Sequence, residues 1–164
     1  MKIDPEKLPL TIEAWVKLET KSSTNTIFGN RPYSGLKAIS FDVKSGTPTI
    51  DFGVSSATDI SFSDSKLTLN TWTHLALVTD TTAMEFRLYV NGVLSETETI
   101  TDAHLAALDA VVYTGDAGHP CIGSKYIWTE STLKNPFIGQ IASFSAYSDV
   151  RTAGLSRLEQ RSYL

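Results

Sequence analysis

Residues 72–94, WTHLALVTDTTAMEFRLYVNGVL, read as two long β-strands joined by a short loop and followed by a tight turn into a third. Asn91-Gly92 is the strongest local signal in the chain. A two-residue type I′ turn needs φ > 0 at both central positions, and Asn and Gly tolerate that best. Before the turn, Met84, Phe86, Leu88 and Val90 alternate with Glu85, Arg87, Tyr89 and Asn91, the period of a strand with one buried face. The preceding run, Leu75-Ala76-Leu77-Val78, is continuously apolar. It predicts a central strand covered on both faces, with the next strand as its half-exposed partner.

Working outward from this hairpin, the N-terminal run repeats the pattern. Leu10, Ile12, Ala14, Val16 and Leu18 alternate with Thr11, Glu13, Trp15 and Lys17, so the first set points to a core. Asp4-Pro5 and Leu8-Pro9 make the approach to it extended. Thr26-Ile27-Phe28 is a short strand and Gly29–Gly35 a loop. Ile39, Phe41 and Val43 oppose Ala38, Ser40, Asp42 and Lys44, and Ser45-Gly46-Thr47-Pro48 turns into Ile50, Phe52 and Val54, which predicts a second hairpin. Ile60 and Phe62 mark another short strand. Val93–Ile100 is strand-like but polar, an edge kept soluble by Glu96 and Glu98. Asp102–Leu108, with Asp102 at the N-cap, predicts one short helical turn. Val111–Tyr113 and Cys121–Gly123 are further short strands, and Ser124–Asn135 is a second long loop. In Phe137–Tyr147 the apolar phase slips from Phe137, Gly139 and Ile141 to Phe144 and Ala146, which predicts a β-bulge. Thr152 onward, with Leu155 and Leu158, reads as a short amphipathic helix. No internal repeat or linker interrupts the chain.

Many short strands separated by turn residues indicate an all-β, two-sheet antiparallel sandwich of jelly-roll type with a short C-terminal helix. The 164 residues suit one domain, 1–164. With 41% hydrophobic and 20% charged residues and a net charge of −4, bulk electrostatics recruits neither nucleic acid nor an anionic membrane. Every apolar run is too short to span a bilayer. Met1-Lys2-Ile3-Asp4-Pro5 breaks off before any apolar signal region, so the reading is of a cytoplasmic chain or a piece of a longer one. Cys121 is the single cysteine. It has no partner for an internal disulfide and is expected to be a small buried hydrophobe.

Five segments stand in a recognisable order: Leu10–Lys17, Trp72–Val78, Arg87–Gly92, Ile122-Gly123-Ser124 and Phe137–Ile141, trailed by Tyr147, Arg151 and Leu155. In these the chain resembles laminin G-like domains of the concanavalin A-like lectin/glucanase group, in their bacterial-type branch. The resemblance spans nearly the whole chain, but its motifs are strand and turn residues and speak to fold. It implies a concanavalin A-like sandwich excised from a larger secreted or cell-surface protein, and hence an extracellular location. That family often has acidic residues after the Gly-x-Ile of its last long strand. Here Ile141 is followed by Ala142 and Ser143, so a carboxylate-based calcium site at that place is not expected.

Catalysis is disfavoured. Hydrolysis of a glycosidic bond needs two carboxyl groups flanking it. Glu13 stands alone on its strand, Asp42 and Asp51 fall on different strands of a hairpin, and Glu96 and Glu98 read as a solvated acidic face. No nucleophile elbow, zinc-protease motif or phosphate loop is present. His74 reads as a sheet histidine and Trp72 as core, while Trp15 suits either a groove wall or a face packed under a loop. No cofactor is expected and no EF-hand loop is present; calcium stays an open alternative, through Asp116 and Asp149 with loop carbonyls brought together only by the fold. The favoured function is a non-catalytic, lectin-like carbohydrate-binding module of an extracellular or cell-surface protein. Its partner would be a glycan or polysaccharide, or else a protein at the cell surface, with no membrane insertion. Sugar rings stack their C–H faces on aromatic side chains while their hydroxyls seek polar partners. Tyr126 and Trp128 in one loop, and Arg31 and Tyr33 in the other, offer both. Trp128 and Tyr126 equally suit a cover over the open end of the sandwich. The alternative is a structural or adhesion module with no glycan site.

Overall fold

Alternation along the chain sorts side chains into an inward and an outward set, and the computed structural model shows the strands that result. It describes residues 10–30, 39–52, 59–109, 121–127, 132–147 and 149–151. In chain order the elements are β1 (Leu10–Leu18), β2 (Thr24–Asn30), β3 (Ile39–Lys44), β4 (Thr47–Asp51), β5 (Ile60–Ser61), β6 (Trp72–Asp80), β7 (Glu85–Val90), β8 (Val93–Thr99), α1 (Asp102–Asp109), β9 (Cys121–Ile122), β10 (Lys125–Ile127), β11 (Thr132–Lys134) and β12 (Gly139–Tyr147). One sheet has the order β12-β1-β6-β7-β8, the other β5-β4-β3-β2-β9, and β10 and β11 form a small hairpin. The pairings are antiparallel. The molecule is the all-β, two-sheet sandwich that the periodicity predicts.

The inward sets of the two sheets meet in a single core. Ile12, Ala14, Val16, Leu75, Phe86 and Leu88 of the first sheet and Ile27, Phe41, Val43 and Ile50 of the second are fully buried. Phe28 stacks on Phe144 across the gap, with ring centroids 5.7 Å apart. β6 is buried from Thr73 to Val78 and on to Thr79 because both of its faces are covered. On the outer face Ala76, Val78 and Tyr89 form a second apolar cluster beneath Val150. The segment carrying Val150 is tied down at Thr11, whose Oγ1 donates to the Asp149 carbonyl at 2.7 Å and accepts from the Arg151 N–H at 3.1 Å. The Arg151 guanidinium lies 3.5 Å over the Tyr147 ring, a cation–π contact.

The turns follow from local chemistry. Asn91 (φ 52°) and Gly92 (φ 77°) both take the left-handed conformation, and Val90 faces Val93 across them. Asn91 does more than turn the chain. Its N–H donates to the His74 carbonyl at 2.8 Å and its Oδ1 accepts from the His74 N–H at 3.0 Å, stitching the turn to β6. Ser45 (φ 52°) and Gly46 (φ 86°) close β3 onto β4 in the same way. The predicted bulge lies in β12. Between Glu13 and Trp15 of β1 the partner strand advances from Ser145 to Ala142, one residue more, and Ser143 takes φ 51°. Ile141 and Ala146 thereby both pack against the core.

Several expectations are corrected. Trp72 is 41% exposed rather than core, because it opens β6 on the outer face, opposite Lys17. Residues 124–135 contain the β10–β11 hairpin, with Lys125, Tyr126 and Ile127 opposite Lys134, Leu133 and Thr132. The helix runs for 8 residues, and its cap is Thr101. The Thr101 N–H donates to His104 Nδ1 at 3.0 Å and the His104 N–H to Thr101 Oγ1 at 3.4 Å, a capping box with a histidine in the glutamate's place. β8 is the edge strand expected, but Glu96 is more than a solvated charge. Its carboxylate accepts from the Ser63 and Asp64 N–H groups and from Ser65 Oγ, clasping the turn after β5. Cys121 is half-buried rather than buried. The proposed lead-in before Leu10, the strand at Val111–Tyr113 and the helix after Thr152 lie outside the described residues.

Candidate functional site

In β3, Ile39, Phe41 and Val43 face the core, so Ser40, Asp42 and Lys44 occupy the outer face of the second sheet. Register extends this polar strip sideways. Asp42 lies opposite Thr26 on β2 and Thr49 on β4, and Ser40 opposite Gly29 and Asp51. A bulge at Ile27 sets the β2 side. Thr26 faces Asp42 and Phe28 faces Phe41, so Ile27 and Phe28 both enter the core while Thr26 and Gly29 stay outside.

Lys125 lies across this strip. Its Nζ is 2.7 Å from Asp42 Oδ2 and 2.8 Å from Asp51 Oδ2. The Lys125 and Asp42 side chains are 2% and 0% exposed. Asp42 also accepts from Thr26 Oγ1 at 2.8 Å on Oδ1 and from Ser40 Oγ at 3.1 Å on Oδ2. The ladder continues outward through Lys44, whose Nζ is 3.6 Å from Asp51 and 2.7 Å from Asp59. Burial pushes the Asp42 carboxyl up from its ordinary value, and the opposing charge and hydrogen bond of Lys125 do not cancel it. For Lys44 burial pulls the amine down, but the Asp59 hydrogen bond and the surrounding carboxylates outweigh it and the net shift is upward.

The lysine reaches its place because β9 pairs with the end of β2, Cys121 opposite Gly29 and Ile122 opposite Phe28. The chain then crosses the β2 edge: Gly123 donates to the Ile27 carbonyl and Thr26 to that of Asn135. Gly29 leaves the lane for the lysine stem, since a Cβ there would stand 2.9 Å from Lys125 Cγ.

Of the four residues proposed from the sequence, Arg31, Tyr33 and Trp128 lie outside the described residues. Tyr126 is described in its backbone, as the middle residue of β10 opposite Leu133. The end of β2 lies beside the start of β10, while the segment that carries Trp128 leaves the far end of β10, after Ile127. β2 ends at Asn30, one residue beyond Gly29, and Gly29 abuts Lys125 at the start of β10. β4 ends beside them, with Asp51 on Lys125. Sequence reasoning missed Lys125, Lys44 and the linkage of Asp42 to Asp51. The alternation of β3 shows Asp42 and Lys44 on an outer face, but no local signal says that Lys125 buries its charge between two aspartates.

The outer face of the first sheet holds a second buried polar group. Glu13 Oε2 lies 3.5 Å from His74 Nε2, and the Trp15 ring sits 5.4 Å from that of His74. This is the sheet histidine expected, and Trp15 packs over it. Among the described residues no cluster of three or more His, Cys, Asp or Glu side chains could hold a metal. No described helix is long and apolar enough to cross a membrane.

Comparison with known proteins agrees with this architecture. The family model of the concanavalin A-like lectin/glucanases superfamily matches residues 4–154. No curated protein matches the chain. Among solved structures, the CBM40 of the Ruminococcus gnavus IT-sialidase, bound to α2,3-sialyllactose, is similar at 17% identity and TM-score 0.69, over 90% of this chain and 79% of that one. A proposed carbohydrate-binding protein from Bacteroides ovatus is similar at 19% identity and TM-score 0.62, over 89% of this chain and 39% of its own. The NanB sialidase of Streptococcus pneumoniae matches at 17% identity and TM-score 0.69, over 90% of this chain and 23% of that protein. The chain thus spans less than half of the last two. At these identities the likeness is one of fold.

Proposed function

The chain belongs to the concanavalin A-like lectin/glucanases superfamily, and from that premise we propose that it is a non-catalytic carbohydrate-binding module of an extracellular or cell-surface protein. The ligand would lie at the end of the second sheet where β2, β4 and β10 meet, held by Tyr33, Tyr126 and Trp128 as stacking platforms and by Arg31 as a donor to hydroxyl or carboxylate oxygens. The observation that carries this reading is the adjacency of Gly29 and Lys125. It brings the end of β2, which leads into the segment of Arg31 and Tyr33, against the start of β10, which leads toward Trp128, and both segments are rich in the side chains that sugars need. The carbohydrate-binding folds among the neighbours support it as precedent.

A non-catalytic role is supported by the carboxylates. Asp42 and Asp51 both contact the Lys125 amine, and two carboxylates held on one buried cation are poorly placed to act as acid and base on a sugar. Single-domain organisation, 1–164, within a longer parent chain is part of the same proposal. It is supported by the way this fold occupies 23% of NanB.

The test is a glycan array followed by titration, with α2,3-sialyllactose as the first probe because the R. gnavus neighbour holds it. Trp128→Ala and Tyr33→Ala should each weaken binding about tenfold or more, the loss typical of truncating an aromatic anchor, with the far-UV spectrum unchanged. Unaltered affinity in both variants would overturn the site. A folded chain that binds nothing on the array would overturn the function and leave the structural or adhesion reading.

A further inference from the structure

We propose that Lys125 and Asp42 condense within the folded chain to form an amide cross-link, with Asp51 as the acceptor of the proton that the amine gives up. The geometry is that of a small built reaction site. A primary amine lies 2.7 Å from one oxygen of a carboxyl group, both side chains are almost wholly removed from water, and a second carboxylate lies 2.8 Å from the same nitrogen. Amines and carboxylic acids do not condense in water, because solvent keeps both ionised and hydrolysis is favoured. Burial excludes that water and raises the Asp42 carboxyl above its ordinary value, and fixed proximity replaces an encounter with an effectively unimolecular step.

Each polar neighbour has a part in that step. Thr26 Oγ1 donates to Oδ1 of Asp42 at 2.8 Å, where negative charge gathers when Nζ adds to Cγ, so the hydroxyl serves as an oxyanion donor. Ser40 Oγ donates to Oδ2 at 3.1 Å, the oxygen that must leave. Burial raises the Asp42 carboxyl above its ordinary value, toward the neutral acid that is the better electrophile. From the ammonium and the neutral acid the balance is complete. The Nζ–Cγ bond forms and the Cγ–Oδ2 bond breaks. One Nζ proton joins the departing hydroxyl to make water, a second passes to Asp51 and on to solvent, and the third stays on the amide nitrogen. No oxidant, reductant or co-reactant is required. The product also replaces a buried ion pair, whose desolvation is costly, with a neutral amide.

The link would staple the β10–β11 hairpin to β3. It is independent of glycan binding, and neither proposal stands on the other.

The test is the intact mass of the purified, folded and then denatured protein. The expected mass is one water below that of the sequence, and digestion should yield a branched peptide joining the segments around Asp42 and Lys125. Lys125→Arg and Asp42→Ala should restore the full mass. Asp51→Asn should fold with the same circular dichroism and form the link at least about tenfold more slowly, as expected for loss of a positioned base. A full, unreduced mass in the folded wild-type chain overturns the proposal, whether or not the variants fold. So does a water loss with no branched peptide, which would place the dehydration elsewhere. A link that forms at the wild-type rate in Asp51→Asn overturns the role given to Asp51.

Discussion

Asn91 shows how one residue can serve two scales of structure at once. Its backbone supplies the positive φ of the turn, and its side chain accepts from the His74 N–H of β6. Asn91→Ala removes both, and unfavourable φ together with a lost hydrogen bond should cost about 2 kcal/mol, read as a lowered midpoint in urea with an unchanged slope. A loss within a few tenths of a kcal/mol would mean that the turn relaxes freely. Lys44 gives the chain a titrating contact. Its amine is raised above 10.5 by Asp59 and the neighbouring carboxylates, net of the burial that opposes them. A raised amine stabilises the fold fully below the unfolded value and loses that contribution as pH rises through the folded one. Wild type should therefore exceed Lys44→Met in stability at neutral pH, and the gap should close only above about pH 10.5. A gap already closing near neutrality would contradict this.

At the scale of elements, the pairing of β1 with β12 depends on a glycine that the sequence offers without emphasis. Gly139 sits at φ 146° opposite Leu18, and a Cβ there would lie 2.1 Å from the Lys17 carbonyl oxygen. Backbone cannot yield as a side-chain tip can. Gly139→Ala should cost about 3 kcal/mol or more, visible as a large fall in melting temperature, and an unshifted melt would show that the strand end moves aside. The bulge in the same strand was legible beforehand, because a parity slip between Ile141 and Phe144 leaves no other way to bury both. The β10–β11 hairpin was not. Each strand has three residues, too few for a period to show, and Lys125 stands opposite Lys134, a pairing that propensity disfavours. What holds it there is Asp42 and Asp51, which are remote in sequence.

At the scale of the whole molecule, the two sheets are joined by aromatic packing in their common core. Phe28 is 1% exposed and stacks on Phe144 of the opposite sheet, so Phe28→Ala should lower stability by about 3–5 kcal/mol through lost transfer energy and the cavity left behind. Chemical denaturation checks this, and a loss below about 1 kcal/mol would mean that the sheets collapse into the space. Phe28 also faces Ile122 across the β2–β9 pair. The same truncation should therefore loosen the strand end from which the proposed glycan loops depart.

Strand period, the Asn91-Gly92 and Ser45-Gly46 turns, the β12 bulge and the soluble β8 edge are all properties of near neighbours along the chain. Backbone sterics and the alternation of side chains act over a few residues, and the sequence alone therefore determined them, and with them the class of fold. The exposure of Trp72, the Glu96 clasp on the turn after β5 and the burial of Lys125 between Asp42 and Asp51 were decided by tertiary structure. Lys125 and Asp51 are 74 residues apart. A charge enters the interior only where opposite charges already wait for it, and which groups wait is settled by sheet register and by the crossing of the β2 edge. The loops of Tyr33 and Trp128 were visible as loops with the right chemistry. That the end of β2 lies against Lys125 at the start of β10 is a fact of the folded sandwich.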